Sequence, residues 1–268
     1  MGLAVSGEFQ RFRDALALQG RVVWALVLRE MRTRFGHSRL GYAWALGEPV
    51  VFILVLSALK SAAGGGVSAL GTSIPVFFFT GIVPFLMFRR TTQQLGSAIS
   101  ANRALLNYPP VRPVDTLIAR ALLEIATMLV VALLIGSVFA GLGLPIMPDD
   151  PLRFLGALCA AALLGIAFGT FNAAVSGVMK WWPTVVTWIL TASLFITGVF
   201  FVVDFMPPSI REALAWIPLT HAIALARSAH YPGYESEVVD VGFLVISGFL
   251  LLAVGLLAER ALRRRSEE

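Results

Sequence analysis

Six predominantly apolar runs divide this chain, and they limit its fold more than any other feature. They are Tyr42–Leu59, Ile74–Phe88, Leu117–Leu144, Leu155–Val178, Val185–Val203 and Val239–Ala258. A helix needs about 20 such residues to cross the ~30 Å hydrocarbon core of a bilayer. Backbone in lipid must satisfy its own hydrogen bonds, which points to helices. Loop-forming residues separate the runs: Gly64-Gly65-Gly66, Pro109-Pro110, Pro145 to Pro151, Trp182-Pro183 and Met206-Pro207-Pro208. Composition agrees, since 57% of the 268 residues are apolar and 14% charged, too few charges to cover a soluble globule of this size. A water-soluble enzyme, a disordered regulator and a secreted disulfide scaffold are excluded. The expectation is an all-α integral membrane protein with six transmembrane helices in one domain, residues 1–268, without internal repeats.

The charge is as informative in its placement as in its sum. A net charge of +5 would suit a nucleic-acid partner, but six spans put both termini on one side. Seven Lys and Arg precede Leu40, five lie between Phe88 and Arg120, and Lys180 and four beyond Ala258 share that side; only Lys60, Arg153, Arg211 and Arg227 fall on the other. Positive charge collects on the cytoplasmic side, so the chain is expected to be multi-pass with cytoplasmic N- and C-termini. The basic excess is then topological, and no nucleic acid is expected. Cys159 stands alone in an apolar run and reads as a small buried helix residue. The start, Gly2 to Ser6, fits a myristoylation pattern, but a multi-span chain needs no acyl anchor. No cleavable signal opens the chain.

Several segments do not fit a plain bundle. Residues 21–35 are amphipathic and too short to span: Trp24, Val27, Leu28, Met31 and Phe35 share a stripe, with Arg29, Arg32 and Arg34 elsewhere. Such a helix lies in the inner interface, its arginines on anionic lipid or on a cytosolic partner. Ser209-Ile210-Arg211-Glu212 reads as a capping box, and Pro218 separates that short helix from Thr220–Ala229. Residues 209–229 therefore form either a re-entrant outer hairpin or an outer loop lying on headgroups. The second run continues into Arg89-Arg90 without a breaker, and these arginines either snorkel to phosphates or face a watery cavity. Glu48, before Pro49, has no obvious partner in the first span. Arg120 and Glu124 can pair on one helix face.

Catalytic and nucleotide-binding patterns are missing. There is no GxxxxGK[ST], HExxH, GxSxG or GxGxxG after a strand, and His37, His221 and His230 are too scattered for a metal set. Transport by a chain that is not itself an enzyme, with its fuel supplied from elsewhere, is the resulting expectation. A proton-coupled secondary transporter would need several intramembrane acids or an inverted repeat, and only Glu48 is available.

The residues also carry a resemblance. Leu28 to Gly36 (LREMRTRFG), Arg39-Leu40-Gly41-Tyr42-Ala43-Trp44 and Glu48-Pro49 resemble the start of type-2 ABC exporter permeases. Asn102 to Glu124 (NRALLNYPPVRPVDTLIARALLE) and Pro218-Leu219-Thr220-His221, followed by Ala226-Arg227 and Pro232-Gly233-Tyr234, are similar to the KpsM-like branch, the inner-membrane permeases of capsular polysaccharide export. The resemblance runs from about Leu28 to Ala258. It implies a single type-2 ABC transmembrane domain that forms a homodimer in the bacterial inner membrane. Two separate cytoplasmic ATPases would bind ATP and Mg, leaving this chain without a cofactor. The cargo implied is a lipid-linked capsular polysaccharide, with O-antigen or teichoic acid as the alternative, handed on to periplasmic and outer-membrane export components.

The same resemblance gives the odd segments roles. The 21–35 helix, with Arg29, Glu30, Arg32 and Arg34, becomes an interface helix at the ATPase. The 102–110 segment, with Asn102, Leu105, Leu106, Asn107, Tyr108, Pro109 and Pro110, becomes a coupling helix. The 209–229 hairpin, with Trp216, Pro218, His221 and Arg227, becomes the outer gate. Sugars slide along aromatic faces, so Phe78, Phe79, Phe85, Phe88, Trp44, Trp181, Trp182 and Trp188 are candidates for the conduit, although aromatics also form interfacial belts. Arg89, Arg90 and Lys180, near the inner mouth, are candidates for holding an acidic glycan or a lipid phosphate.

Overall fold

The computed structural model describes the backbone of residues 2–35, 39–64, 69–71 and 73–267, and the side chains at 10–11, 13–33, 47–64, 69–71 and 73–262. The helices are α1 (Gly2–Phe35), α2 (Arg39–Ala62), α3 (Ile74–Gly96), α4 (Ala98–Ala101), α5 (Pro113–Gly141), α6 (Pro151–Ser176), α7 (Trp182–Ile196), α8 (Pro208–Ala215), α9 (Pro218–His230) and α10 (Val241–Glu267). Among the described residues there is no strand. Proline opens α5, α6, α8 and α9, where its missing N–H costs nothing and its φ is already helical. The loop-like separators in the sequence are therefore largely helix starts.

Among the described residues, four helices are long and apolar enough to cross a membrane: Ile74–Gly96, Pro113–Gly141, Pro151–Ser176 and Val241–Leu262. The expected first span lies within α2, whose side chains before Gly47 fall outside the described residues. The expected fifth is α7, 15 residues long, or about 22 Å at 1.5 Å per residue. The chain then leaves the helix, with Gly198 at φ +85 and Thr197, Val199 and Val202 buried. The last third of the expected span, from Thr197, is packed, irregular backbone rather than helix. As expected, α3 runs past Phe88 through Arg89 and Arg90 to Gly96.

Tight seams hold α6 between α3 and α10. A Cβ at Gly165 would lie 2.8 Å from Thr91 Cβ, and one at Gly169 2.8 Å from Leu95 Cβ. On the other side, a Cβ at Gly248 would meet Leu163 at 2.8 Å and one at Gly255 the Phe171 nitrogen at 2.9 Å. Small residues let helices approach closely where lipid offers no hydrophobic drive of its own. Around these seams lies an aromatic core in which Phe79 stacks on Phe154 at 6.2 Å and tilts against Phe139 at 6.3 Å.

Several local expectations are corrected. The helix expected at 21–35 begins far earlier, and its packed face is different. Leu26 and Val27 are buried with Ala119 of α5, while Trp24, Leu28 and Met31 are exposed. Ala119 is small enough to let the aliphatic pair close against α5. The 102–110 segment is no continuous helix but a single 3-10 turn, Leu105–Asn107. Ser209 does not cap α8, which starts at Pro208 after Pro207. Cys159 is exposed, not buried.

Candidate functional site

Polar side chains gather at the two ends of the bundle. At the α1 end, Asn102 is 2% exposed although Ala101, Arg103 and Ala104 around it are exposed. Its Oδ1 accepts from Arg29 Nη1 at 2.6 Å. Its Nδ2 donates to Glu30 Oε1 at 3.0 Å and to the Ala98 carbonyl at 2.8 Å. Glu30 Oε1 also meets Arg120 Nε of α5 at 3.2 Å. Arg120 Nη1 donates to the Gln94 carbonyl at 2.9 Å and to Ser97 Oγ at 2.7 Å. Arg120 thus leaves Glu124, its expected helix neighbour, for α1 and the end of α3. A second tie runs from Gln19 Nε2 to Asp115 Oδ1 at 2.8 Å, while Asp115 Oδ2 accepts the Arg112 N–H at the start of α5.

The rest of this loop faces outward. Asn107, Tyr108, Pro109 and Pro110 are exposed, Tyr108 at 63%, whereas Leu105 and Leu106 are half-buried. On α1, Arg29 and Arg32 are exposed and Glu30 half-buried; the Arg34 side chain lies outside the described residues. The segment therefore has an inward polar face and an outward one. Sequence reasoning grouped Arg29, Glu30 and Asn102 with the outward residues because spacing does not reveal which way a loop faces. It also missed Arg120's part in this cluster.

Nearby, Arg90 Nη2 meets Glu48 Oε2 of α2 at 2.6 Å. Glu48, expected to lack a partner, has one, and Arg90 is buried while Arg89 is half-buried and Lys180 exposed. Of the aromatic candidates, Phe78, Phe79, Phe85 and Phe88 pack inside the chain; Phe78 sits edge-on to Phe77 and Phe88 stacks on Phe168. Trp181 and Trp188 are exposed, Trp188 at 68%. Trp182 is half-buried, edge-on to Phe171 and Trp181. The Trp44 side chain lies outside the described residues.

At the other end, α8 and α9 meet at Trp216-Ile217. Arg227 of α9 is 1% exposed and closes the end of α7. Nη1 donates to the Gly198 and Phe201 carbonyls, both at 2.6 Å, and Nη2 to the Val199 carbonyl at 2.8 Å. A cation here satisfies carbonyls of the irregular segment that follows α7 and lies on the favourable side of that helix's dipole. The guanidinium carbon lies 4.2 Å from the Phe77 ring centre, an additional cation–π contact. Gly81 leaves the room, since a Cβ there would come within 3.0 Å of Arg227 Nη2.

Beside it, Tyr234 O–H donates to Asp204 Oδ2, and Asp204 Oδ1 accepts the Glu237 N–H at 2.9 Å. Burial first, and then the Asp204 carboxylate, push the Tyr234 phenol well above its ordinary value. His221, near the start of α9, is buried. Its Nε2 donates to the Ala215 carbonyl at 2.7 Å and its Nδ1 accepts the Asp240 N–H at 3.0 Å. Together with Arg211, Glu212, Trp216 and Glu237 it borders an open cavity of about 400 Å³. Pro218 opens α9, and Trp216 stands 79% exposed.

The sequence profile of the family described as ABC-2 type transporter matches residues 21–231. The polysialic acid transport protein KpsM of Escherichia coli is 34% identical over 256 residues, covering 96% of this chain and 97% of that protein. The capsule polysaccharide export inner-membrane protein BexB of Haemophilus influenzae is 31% identical over 255 residues, with 93% and 94% covered. CtrC, of the same description, from Neisseria meningitidis serogroup B, is 30% identical over 252 residues, with 91% and 92% covered.

Proposed function

Because the chain belongs to the ABC-2 type transporter family, we propose that it is the permease of an ATP-driven exporter that moves a lipid-linked, acidic capsular polysaccharide across the bacterial inner membrane to the periplasm. The observation that carries this reading is similarity along nearly the whole chain to a polysialic acid transport protein and to two inner-membrane proteins of capsule polysaccharide export. Two copies form the conduit, and two cytoplasmic ATPases supply ATP and Mg chemistry that a chain without a P-loop cannot. Periplasmic and outer-membrane export components receive the glycan.

Each copy crosses the membrane six times with both termini inside, α2 and α7 completing the set begun by the four long apolar helices. The pair α8–α9 is a re-entrant hairpin that closes the outer end of the conduit. The ATPase meets the outward side of the 102–110 loop, at Asn107, Tyr108, Pro109 and Pro110, and the neighbouring Arg32. Arg89 and Lys180 give an acidic glycan cationic company at the inner mouth. Trp181 and Trp188, the exposed aromatics of the conduit set, offer it flat faces. The buried phenylalanines hold the wall behind them.

Deleting the chain from its own host tests this directly. Polysaccharide should accumulate inside the cell and vanish from the surface; capsule at the parental level on the surface would sink the reading. Accumulation of O-antigen or teichoic acid instead would change the cargo within the class. Export that survives ATP depletion but stops when the proton gradient collapses would point to a proton-coupled carrier.

A further inference from the structure

We propose that Asn102 is a positioning residue. It latches α1 to the 102–110 loop, so that a push on the loop from the ATPase moves α1, the end of α3 and the start of α5 together. The inference rests on reading that loop as the docking site, and it assigns its two faces to different tasks.

The geometry separates them. Asn102 is buried among exposed neighbours, and its carboxamide bridges groups of opposite charge, with oxygen on Arg29 and nitrogen on Glu30. Only one orientation of the amide serves both, because a flipped amide would set its N–H groups against a guanidinium and its oxygen against a carboxylate. Glu30 passes the connection to Arg120, and Arg120 passes it to the last turn of α3 and Ser97. Beneath the polar chain, Leu26 and Val27 pack on Ala119, with Leu105 of the 3-10 turn and Val111 against them. Polar and apolar contacts thus bind the same partners. Bonds to ionised groups are the stronger kind, and a half-broken buried network is worse than none. The latch is therefore made or lost as a unit.

The test is a swap of donor and acceptor. In Asn102→Asp an oxygen replaces the NH2 that faced Glu30, setting two carboxylates together. Adding Glu30→Gln removes the like-charge pair and keeps the cluster's net charge at the parental value, while it weakens the Arg120 contact that the same Glu30 oxygen makes. With the cognate ATPase co-expressed, Asn102→Asp should keep the partner on co-purification and hydrolyse ATP at the parental rate. Capsule export should fall about tenfold or more, the effect of losing one hydrogen bond to a charged group. The double variant should recover export in part, and Tyr108→Ala on the outward face should lose the partner itself.

Asn102→Asp that sheds the ATPase would make Asn102 a docking contact and overturn the latch. Unchanged export in Asn102→Asp would overturn it too. If the parental chain retains no ATPase, the reading of the loop fails first, and that outcome is distinct from the others.

Discussion

Replacing Gly165 with alanine should open the seam between α3 and α6, and Gly156 on the same helix supplies the control. A Cβ at 165 would sit 2.8 Å from Thr91 Cβ, 2.9 Å from the Phe88 carbonyl oxygen and 3.2 Å from Thr91 Cγ2. Carbon atoms in ordinary contact stand about 3.5–4.0 Å apart, so the helices must separate by roughly 0.7 Å. Neither obstacle is the free end of a flexible side chain, so the strain goes into the backbone. A Cβ at Gly156 meets nothing within 4 Å. Both substitutions gain about 1 kcal/mol of helix propensity, whereas overpacking at 165 costs about 1–3 kcal/mol. Gly156→Ala should therefore be neutral or up to ~1 kcal/mol more stable, and Gly165→Ala up to ~2 kcal/mol less stable. Titrating the purified chain with SDS in mixed micelles and following helical circular dichroism compares them, with the shared propensity gain cancelling. Equal midpoints would show that the seam is not close-packed and would refute the reasoning.

Arg227→Lys keeps the charge but not the fork, and a single ammonium cannot hold three carbonyls in the same geometry. It should cost about 2–3 kcal/mol in the same titration; a parental midpoint would deny Arg227 its role at the end of α7. Arg89→Gln with Lys180→Gln should lower export of an acidic capsule without moving the unfolding midpoint, and undiminished surface capsule would remove both cations from the path. Tyr234 should stay protonated at pH values where exposed tyrosines ionise. A folded-state value above the ordinary one near 10 gives a stabilising contribution that is full below the ordinary value and lost as pH rises through the folded one. The ultraviolet difference between the parental chain and Tyr234→Phe in an alkaline titration checks this. A phenolate signal from Tyr234 with a midpoint near 10 would contradict the half-buried Asp204 contact.

The long helices were legible because hydrophobic length is a local property. The 3.6-residue period placed the second half of α1 but neither its start nor its buried face. Val27 and Trp24 compete for nearly the same stripe, and the choice depends on Ala119, 92 positions away from Val27. The pairings of Glu48 with Arg90 and of Arg120 with Glu30 are equally nonlocal, so i,i+4 reasoning assigned Arg120 to Glu124 instead. One nonlocal feature did leave a trace. Gly165 and Gly169 stand four apart, the small-xxx-small spacing of close helix contacts. Among the site residues, the pair of short helices α8 and α9 was visible from Pro218 between them. Which of its residues hold the structure was not, because Arg227's partners are backbone carbonyls that carry no sequence signal.

The two polar ends are joined by one helix. Arg227 lies over Phe77 and against Gly81 near the start of α3, while Arg120 bonds the Gln94 carbonyl near its finish. Between Phe77 and Gln94 lie 17 residue steps, about 25 Å of helix. At an effective dielectric near 20, two unit charges that far apart interact by only ~0.7 kcal/mol before screening. That is smaller than a single hydrogen bond to a charged group, about 1.5–3 kcal/mol. A change at one end therefore reaches the other through the body of α3 rather than through its field. The glycine seam with α6 is what keeps that body from bending independently. On this argument Gly165→Ala, which touches neither cluster, should weaken export even under conditions where the protein stays folded and keeps its ATPase. An export rate independent of the seam would mean that the two ends work separately.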